Sequence, residues 1–159
     1  MISKIKDLGS LVRIASKLRR RGKKIVFANG CFDIIHFGHV QLLSKAKSRG
    51  DILIVGINSD ASTRKIKGDL RPILPEKDRS RIIAALEAVD YVTVFDETTP
   101  WHLIKSLRPD VLVKGADWKP DTIVGRDFVR SYGGTVARIQ LAKGHSTTAL
   151  IKKIIDRFA

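Results

Sequence analysis

Short apolar runs rich in β-branched residues alternate with helix-like stretches along this chain, and that alternation constrains its fold more than any other feature. The runs are IVFAN at 25–29, ILIVGIN at 52–58, YVTVF at 91–95, VLVKG at 111–115 and TVARI at 135–139. The first two have the length and β-branched content of a buried strand. Before the first run, Leu8, Leu11, Val12, Ala15 and Leu18 recur at helical spacing, and Gly22 stands where a glycine would end the helix. HVQLLSKAKSRG at 39–50 closes on Gly50, and further helices are expected over 76–88, after Pro100, from about Val124 to Ser131, and from Ser146 onward. Strand, helix and strand within roughly 30 residues make a βαβ unit. Repeated, the unit predicts a Rossmann-like, doubly wound α/β sheet of about five parallel strands with helices on both faces. Ligands of such sheets bind beyond the C-terminal strand ends, at the topological switch point.

A length of 159 residues suits a single domain, here 1–159, with an N-terminal helical extension at 1–24 and a catalytic α/β core at 25–159. Cys31 is the sole cysteine, which excludes an internal disulfide framework and fits a reducing compartment. The opening MISKIKDLGS lacks the apolar core of a secretory signal, and no apolar run approaches the ~20 residues of a membrane helix. A cytoplasmic protein with no membrane insertion is expected. The net charge of +14 attracts nucleic acid, anionic lipid or phosphorylated small molecules. Its densest cluster, Lys17, Arg19, Arg20, Arg21, Lys23 and Lys24, sits where a helix ends and has a local electrostatic reason to be there. No aromatic residues interleave with it, so single-strand stacking is not expected, nor nucleic acid as a partner.

Two segments carry the chemistry. From 29 to 39 the chain reads NGCFDIIHFGH, following a strand and leading into a helix. His36 and His39 are three apart, so on a helix they share a face, and Gly38 between them leaves room for a ligand against backbone. The helix N-terminus adds free N–H donors for an anion at the same place. A zinc site would need a third ligand, Cys31 or Asp33, and neither has metal-site spacing, so no protein-bound metal is expected. The second segment, ASTRKIKGDLRPILP at 61–75, is polar, basic and interrupted by Gly68, Pro72 and Pro75, and is expected as a loop. Its charges, Arg64, Lys65, Lys67 and Arg71, fit either a solvated surface or phosphate capture. P-loop and Gly-x-Gly-x-x-Gly patterns are both missing.

GCFDIIHFGH resembles the Gly-x-Phe-Asp-x-x-His-x-Gly-His signature of the nucleotidyltransferase superfamily that includes cytidylyltransferases. HSTTALIKK at 145–153 is similar to that superfamily's triphosphate-binding segment, in which Ser146, Thr147 and Thr148 would offer donors at a helix start. NSDAS at 58–62, KGDLRP at 67–72, ALEAVD at 85–90 and LVKGADW at 112–118 bring the resemblance closest to the D-glycero-β-D-manno-heptose 1-phosphate adenylyltransferases. That resemblance implies His36, His39, Lys65 and Lys67 as catalytic residues. It places Gly30, Cys31, Phe32, Lys114, Gly115, Asp117, Trp118, Ser146, Thr147 and Thr148 on the nucleotide, and Asp33, Asn58, Asp60, Arg71 and Arg79 on the acceptor. It further implies ATP with its Mg²⁺, a phosphorylated sugar, a homodimer, and a separate heptose kinase upstream, since 159 residues leave no room for the kinase domain of bifunctional relatives.

The chain departs from glycerol-3-phosphate cytidylyltransferases, which carry Arg-Thr where it has Leu141-Ala142, and this argues against cytosine. The superfamily's terminal arginine falls on Ile151, leaving Lys143 or Lys152 to supply the charge, and His145 has no assigned role beyond facing solvent. A glycerol-phosphate or other acceptor, and a non-enzymatic nucleic-acid module, are the alternatives.

Overall fold

The computed structural model describes residues 2–140 and 144–158. Five strands, β1 (Ile25–Gly30), β2 (Ile52–Asn58), β3 (Tyr91–Phe95), β4 (Val111–Gly115) and β5 (Thr135–Ile139), form one sheet in the order β3-β2-β1-β4-β5. All four pairings are parallel, with Ile25 opposite Ile52 and Val26 opposite Val111 on the two sides of β1. The order reverses at β1, so the switch point lies between β1 and β4, as a doubly wound sheet requires.

The helices are α1 (Leu8–Arg20), α2 (Phe37–Lys47), α3 (Asp60–Lys67), α4 (Glu76–Ala85), α5 (Trp101–Leu107), α6 (Arg126–Ser131) and α7 (Thr147–Phe158). Alternation along the strands divides the core into two layers. Val26, Ala28, Leu53, Val55, Val111 and Val113 meet Leu42, Leu43 and Ala46 of α2 and Ile83 and Ala84 of α4. Ile25, Phe27, Ile54 and Leu112 meet Leu11 and Ala15 of α1, Leu103, Ile104 and Leu107 of α5 and Val129 of α6. Burying one such Leu, Ile or Phe side chain contributes about 1.5–3 kcal/mol, so both faces are needed to hold the sheet. The residues before β1 thus supply part of the second layer.

Local chemistry sets the ends of these elements. Asp7 caps α1 by accepting from the Ser10 N–H at 2.8 Å, and Gly22, at φ 73°, turns the chain away after the last turn. Three aspartates hold the N-terminal edge of the sheet: Asp51 accepts from the Lys24 N–H, Asp110 from Ile25 and Asp90 from Leu53, at 2.7–2.8 Å. Gly125, at φ 85°, lies under Ile104, where an added Cβ would come within 2.8 Å of the isoleucine Cδ1. It starts α6 at Arg126, two residues later than the apolar pattern suggests.

The 61–75 segment corrects the expectation of a loop. Its first half is α3, capped by the Ser59 hydroxyl, which accepts from the Ser62 N–H, and ended by Gly68 at φ 94°. This helix has no apolar stripe because its buried residues are Ser62 and Thr63, so hydrophobic periodicity could not reveal it. α4 stops at Ala85 rather than near 88, because Leu86 adopts an extended ψ of 135°. No helix of the described residues is long and apolar enough to cross a membrane.

Candidate active site at the strand switch point

β1 delivers the NGCFDIIHFGH segment to the C-terminal edge of the sheet beside β4. Between Gly30 and α2 the backbone enters the left-handed region twice, at Phe32 (φ 49°) and Ile34 (φ 50°). For a β-branched residue such as Ile34 this is a strained conformation, of the kind that folds retain at working sites. The double turn buries Phe32 and Asp33 and leaves His36 as the N-cap of α2.

The two imidazoles stack, with ring centroids 3.8 Å apart and planes inclined by 23°. Phe32 meets His39 edge-on at 5.3 Å. Both Nδ1 atoms are buried and without a hydrogen-bond partner among the described residues. Gly38 is a steric requirement, since a Cβ there would lie 3.1 Å from the His36 ring and 3.2 Å from the His145 carbonyl oxygen. Among the described residues no side chain caps α2. Its first-turn N–H groups therefore remain for a ligand, together with the positive end of the helix dipole. Burial lowers the pKa of His39 to about 4, and the neighbouring His36 pushes the same way. His36 is also lowered, first by burial and then by His145. Both rings are thus neutral near pH 7, and a polyanion placed against them would favour their charged forms.

Asp33 ties the walls of the site together. It is 2% exposed, and its carboxylate accepts from the N–H groups of Ile73 (2.9 Å) and Leu74 (3.0 Å) and pairs with Arg71 Nε at 2.8 Å. Its carbonyl accepts from the Thr147 hydroxyl at 2.7 Å, bringing the start of α7 to the histidine turn. Ser146 caps α7 by accepting from the Ala149 N–H, Thr148 is exposed, and the His145 ring lies edge-on to Phe37. His145 is exposed, in keeping with a solvent-facing residue. Lys143 and the Leu141-Ala142 pair lie outside the described residues.

Other expected site residues fall into two groups. Asn58 and Asp60, at the end of β2, are structural in their contacts: Asn58 donates to the Ser62 hydroxyl and accepts from the Cys31 thiol, while Asp60 and Glu76 cap each other's helices through reciprocal N–H to carboxylate bonds of 2.8 Å. Arg79, expected on the acceptor, is 0% exposed; it donates to the carbonyls of Leu74 and Cys31 and to Asp60 Oδ1. Here the structure corrects the expectation, because a sealed guanidinium with these acceptors holds the histidine turn to α3 and α4 and has no face for a substrate. Lys65 and Lys67 are exposed on α3, and Asp117 and Trp118 are exposed after β4. Lys114 is buried on β4 beside Gly115, with its ammonium 5.0 Å from the Trp118 ring centroid.

Two contributors escaped the sequence reading. Asn29 has a buried side-chain oxygen without a partner among the described residues at the end of β1, and the Thr147 to Asp33 bond links residues 114 apart. A polar residue closing an apolar strand was the visible sign of the first; nothing local announces the second. Two cavities of about 420 and 400 Å³ lie away from the histidines, one lined by Lys6, Ile52, Asp90 and Tyr91 and the other between α2 and residues 86–88. Neither gathers groups suited to this chemistry.

A parallel sheet with an uncapped helix start and paired imidazoles at its switch point defines a phosphate-handling α/β enzyme fold. Comparison with known proteins makes this specific: residues 27–153 match the cytidylyltransferase-like family, and the chain belongs to it and is a nucleotidyltransferase. The bifunctional protein HldE of Syntrophotalea carbinolica is 54% identical over 156 residues, covering 98% of this chain and 32% of that protein. HldE of Wolinella succinogenes is 56% identical over 145 residues, covering 91% and 30%. The chain thus spans about a third of the length of these relatives. A lipopolysaccharide core biosynthesis protein from Thermoplasma volcanium superposes with a TM-score of 0.63 at 32% identity, over 77% of this chain and 98% of that one. Pantoate-beta-alanine ligase from Francisella tularensis, at 17% identity and a TM-score of 0.63, shares the fold over 94% of this chain and 72% of its own.

Proposed function

We propose that the chain transfers AMP from ATP to D-glycero-β-D-manno-heptose 1-phosphate, giving ADP-heptose and pyrophosphate, a step toward lipopolysaccharide core. The stacked His36 and His39 at the uncapped start of α2 carry the reaction class. The acceptor rests on the motif resemblance, supported by relatives named HldE and by one named for lipopolysaccharide core biosynthesis.

In this reading an acceptor phosphate oxygen attacks the α-phosphorus of ATP, and the bond from that phosphorus to the bridging oxygen breaks, its electrons leaving with pyrophosphate. A phosphate monoester has a second pKa of about 6, so the attacking group is already a dianion near pH 7 and needs no general base. The barrier is electrostatic, and positioning and N–H donors lower it. Each neutral imidazole offers one N–H to a phosphate oxygen. Thr147, Ser146 and the first turns of α2 and α7 add donors, and Lys65, Lys67 and Arg71 add charge from α3 and the loop that follows it. Among the described residues no group of three His, Cys, Asp or Glu side chains could hold a metal, and the Asp33 carboxylate is already committed. Such a site fits a magnesium ion carried by the triphosphate, which would neutralise phosphate charge. A heptose kinase activity would supply the acceptor, the cytoplasm is the expected compartment and a homodimer the expected assembly.

The test is pyrophosphate release with each nucleoside triphosphate and a panel of phosphorylated acceptors. ATP with the heptose phosphate should be the preferred pair, and His36→Ala and His39→Ala should each lower turnover by about 10²-fold or more, as loss of an oxyanion donor does. Turnover near wild type in both variants would refute the mechanism, and a preference for CTP with glycerol 3-phosphate would refute the substrate assignment.

A further inference from the structure

In a parallel sheet every strand starts at one end of the domain and finishes at the other. The histidines sit where the strands finish, and β1, six residues long, sets the two ends ~20 Å apart. At the starting end four loops join a helix to a strand: 21–24 before β1, 48–51 before β2, 108–110 before β4 and 132–134 before β5. The charges there are sorted by sign. The aspartates are spent on backbone, Asp51 accepting from the Lys24 N–H and Asp110 from the Ile25 N–H, while Asp90, before β3, accepts from the Leu53 N–H and the Lys47 ammonium. The cations face outward. Arg21, Lys24, Arg49, Arg108 and, in the last turn of α6, Arg130 are exposed, and among the described residues none of the five has a carboxylate partner. Glu87, an exposed acid of this end, lies before the outermost strand, β3. The negative ends of α1, α2, α5 and α6 also point here, but each amounts to about half a unit charge, so together they leave the group strongly positive. Like charges gathered without counter-charges oppose folding and attract a polyanion.

The surroundings of these cations select among polyanions. Tyr132, the one aromatic residue of the four loops, has the Arg108 guanidinium 4.5 Å from its ring centroid and donates its hydroxyl proton to the Pro109 carbonyl, so no ring is free to stack on a base. Turns this short do not enter a duplex groove. An array of headgroup phosphates needs neither rings nor a projecting element, only cations spread over an area. None of the four loops exposes a large hydrophobic side chain, so such a contact stays at the headgroups. We propose that the strand-starting end of the domain docks on anionic phospholipid headgroups as a peripheral contact. The histidines then face away from the bilayer, and docking and turnover are independent.

Co-sedimentation with vesicles of phosphatidylcholine and phosphatidylglycerol in equal parts tests this, with pure phosphatidylcholine as the neutral surface. Wild type should pellet with the mixed vesicles alone, and added salt should release it. Each cation near an anionic bilayer contributes about fivefold in partition, so the triple variant Arg21→Gln, Lys24→Gln, Arg49→Gln should bind on the order of 100-fold more weakly. Lys77→Gln, Arg81→Gln, Lys119→Gln, which removes as much charge from exposed positions on α4 and after β4, should stay within about threefold of wild type. Equal losses in the two triple variants, or no binding of wild type to the mixed vesicles, would overturn the proposal. Release of wild type by ATP at concentrations that just saturate the active site would also overturn it, since that places the contact at the histidine end. An RNA oligonucleotide that strips wild type from the vesicles at a phosphate concentration below that of the lipid would assign the surface to nucleic acid instead. If the first triple variant does not fold, Arg49→Gln alone, in a turn, should weaken binding about fivefold, and unchanged binding overturns the proposal.

Discussion

His39 makes the stability of this protein depend on pH in a way that can be calculated. Its imidazole titrates at about 4 in the folded chain and at 6.5 in an unfolded one. Between those values the unfolded chain binds a proton that the folded chain refuses, so folding free energy rises with pH and is lost on acidification. The contribution is fully present above about pH 6.5 and gone once the pH has fallen through 4. Linkage puts the loss between pH 7 and pH 5 at about 2 kcal/mol from this one group. Urea denaturation of wild type and His39→Asn at both pH values measures it, since carboxylates common to the two proteins cancel in the comparison. The variant should lose about 2 kcal/mol less than wild type over that interval. Saturating ATP should shrink the wild-type loss, because a polyanion beside the stacked rings favours the imidazolium. Parallel stability profiles for the two proteins would refute the claim that burial keeps His39 neutral.

Two further outcomes follow from the bonds around the site. Arg79→Met strands the carbonyls of Leu74 and Cys31 and the Asp60 carboxylate, and breaking a buried ion pair from one side costs about 3–5 kcal/mol, towards the lower end here because Asp60 is partly exposed. At ~2–4 °C per kcal/mol for a domain near this size, calorimetry should show Tm falling by ~10 °C; an unchanged Tm would mean Arg79 does not hold the turn. Thr147→Val removes the hydroxyl that donates to the Asp33 carbonyl, and should lower stability by about 1 kcal/mol and ATP affinity severalfold by titration. Wild-type affinity would show that α7 is placed without that bond.

The fold was largely legible because its strands are short and β-branched, and the central ones are buried on both faces, so each run marked itself without help from tertiary context. All five strands and six of the seven helices lay where alternation puts them. α3 was hidden because it buries a serine and a threonine, and its caps, Ser59 and Gly68, carry a signal that an apolar pattern does not. Around the site, the sequence brought His36, His39 and Gly38 together because one helical turn relates them. It misjudged Arg79, since an arginine at a helix start reads the same whether it faces solvent or, as here, three internal acceptors. What no local pattern could disclose is the union of Asp33 with residues 71–74 and with Thr147, contacts made across 40 and 114 residues.

The histidine turn hangs from β1, the middle strand, which is paired on both sides and buried in both layers. Local opening is least frequent where backbone bonds and apolar contacts are densest. Amide exchange at residues 26–28 should therefore be limited by unfolding of the whole domain, while α3 and α7, held to the site by a few polar bonds, exchange through smaller openings. Substrates could come and go past those two walls while the anchor of the imidazoles stays still.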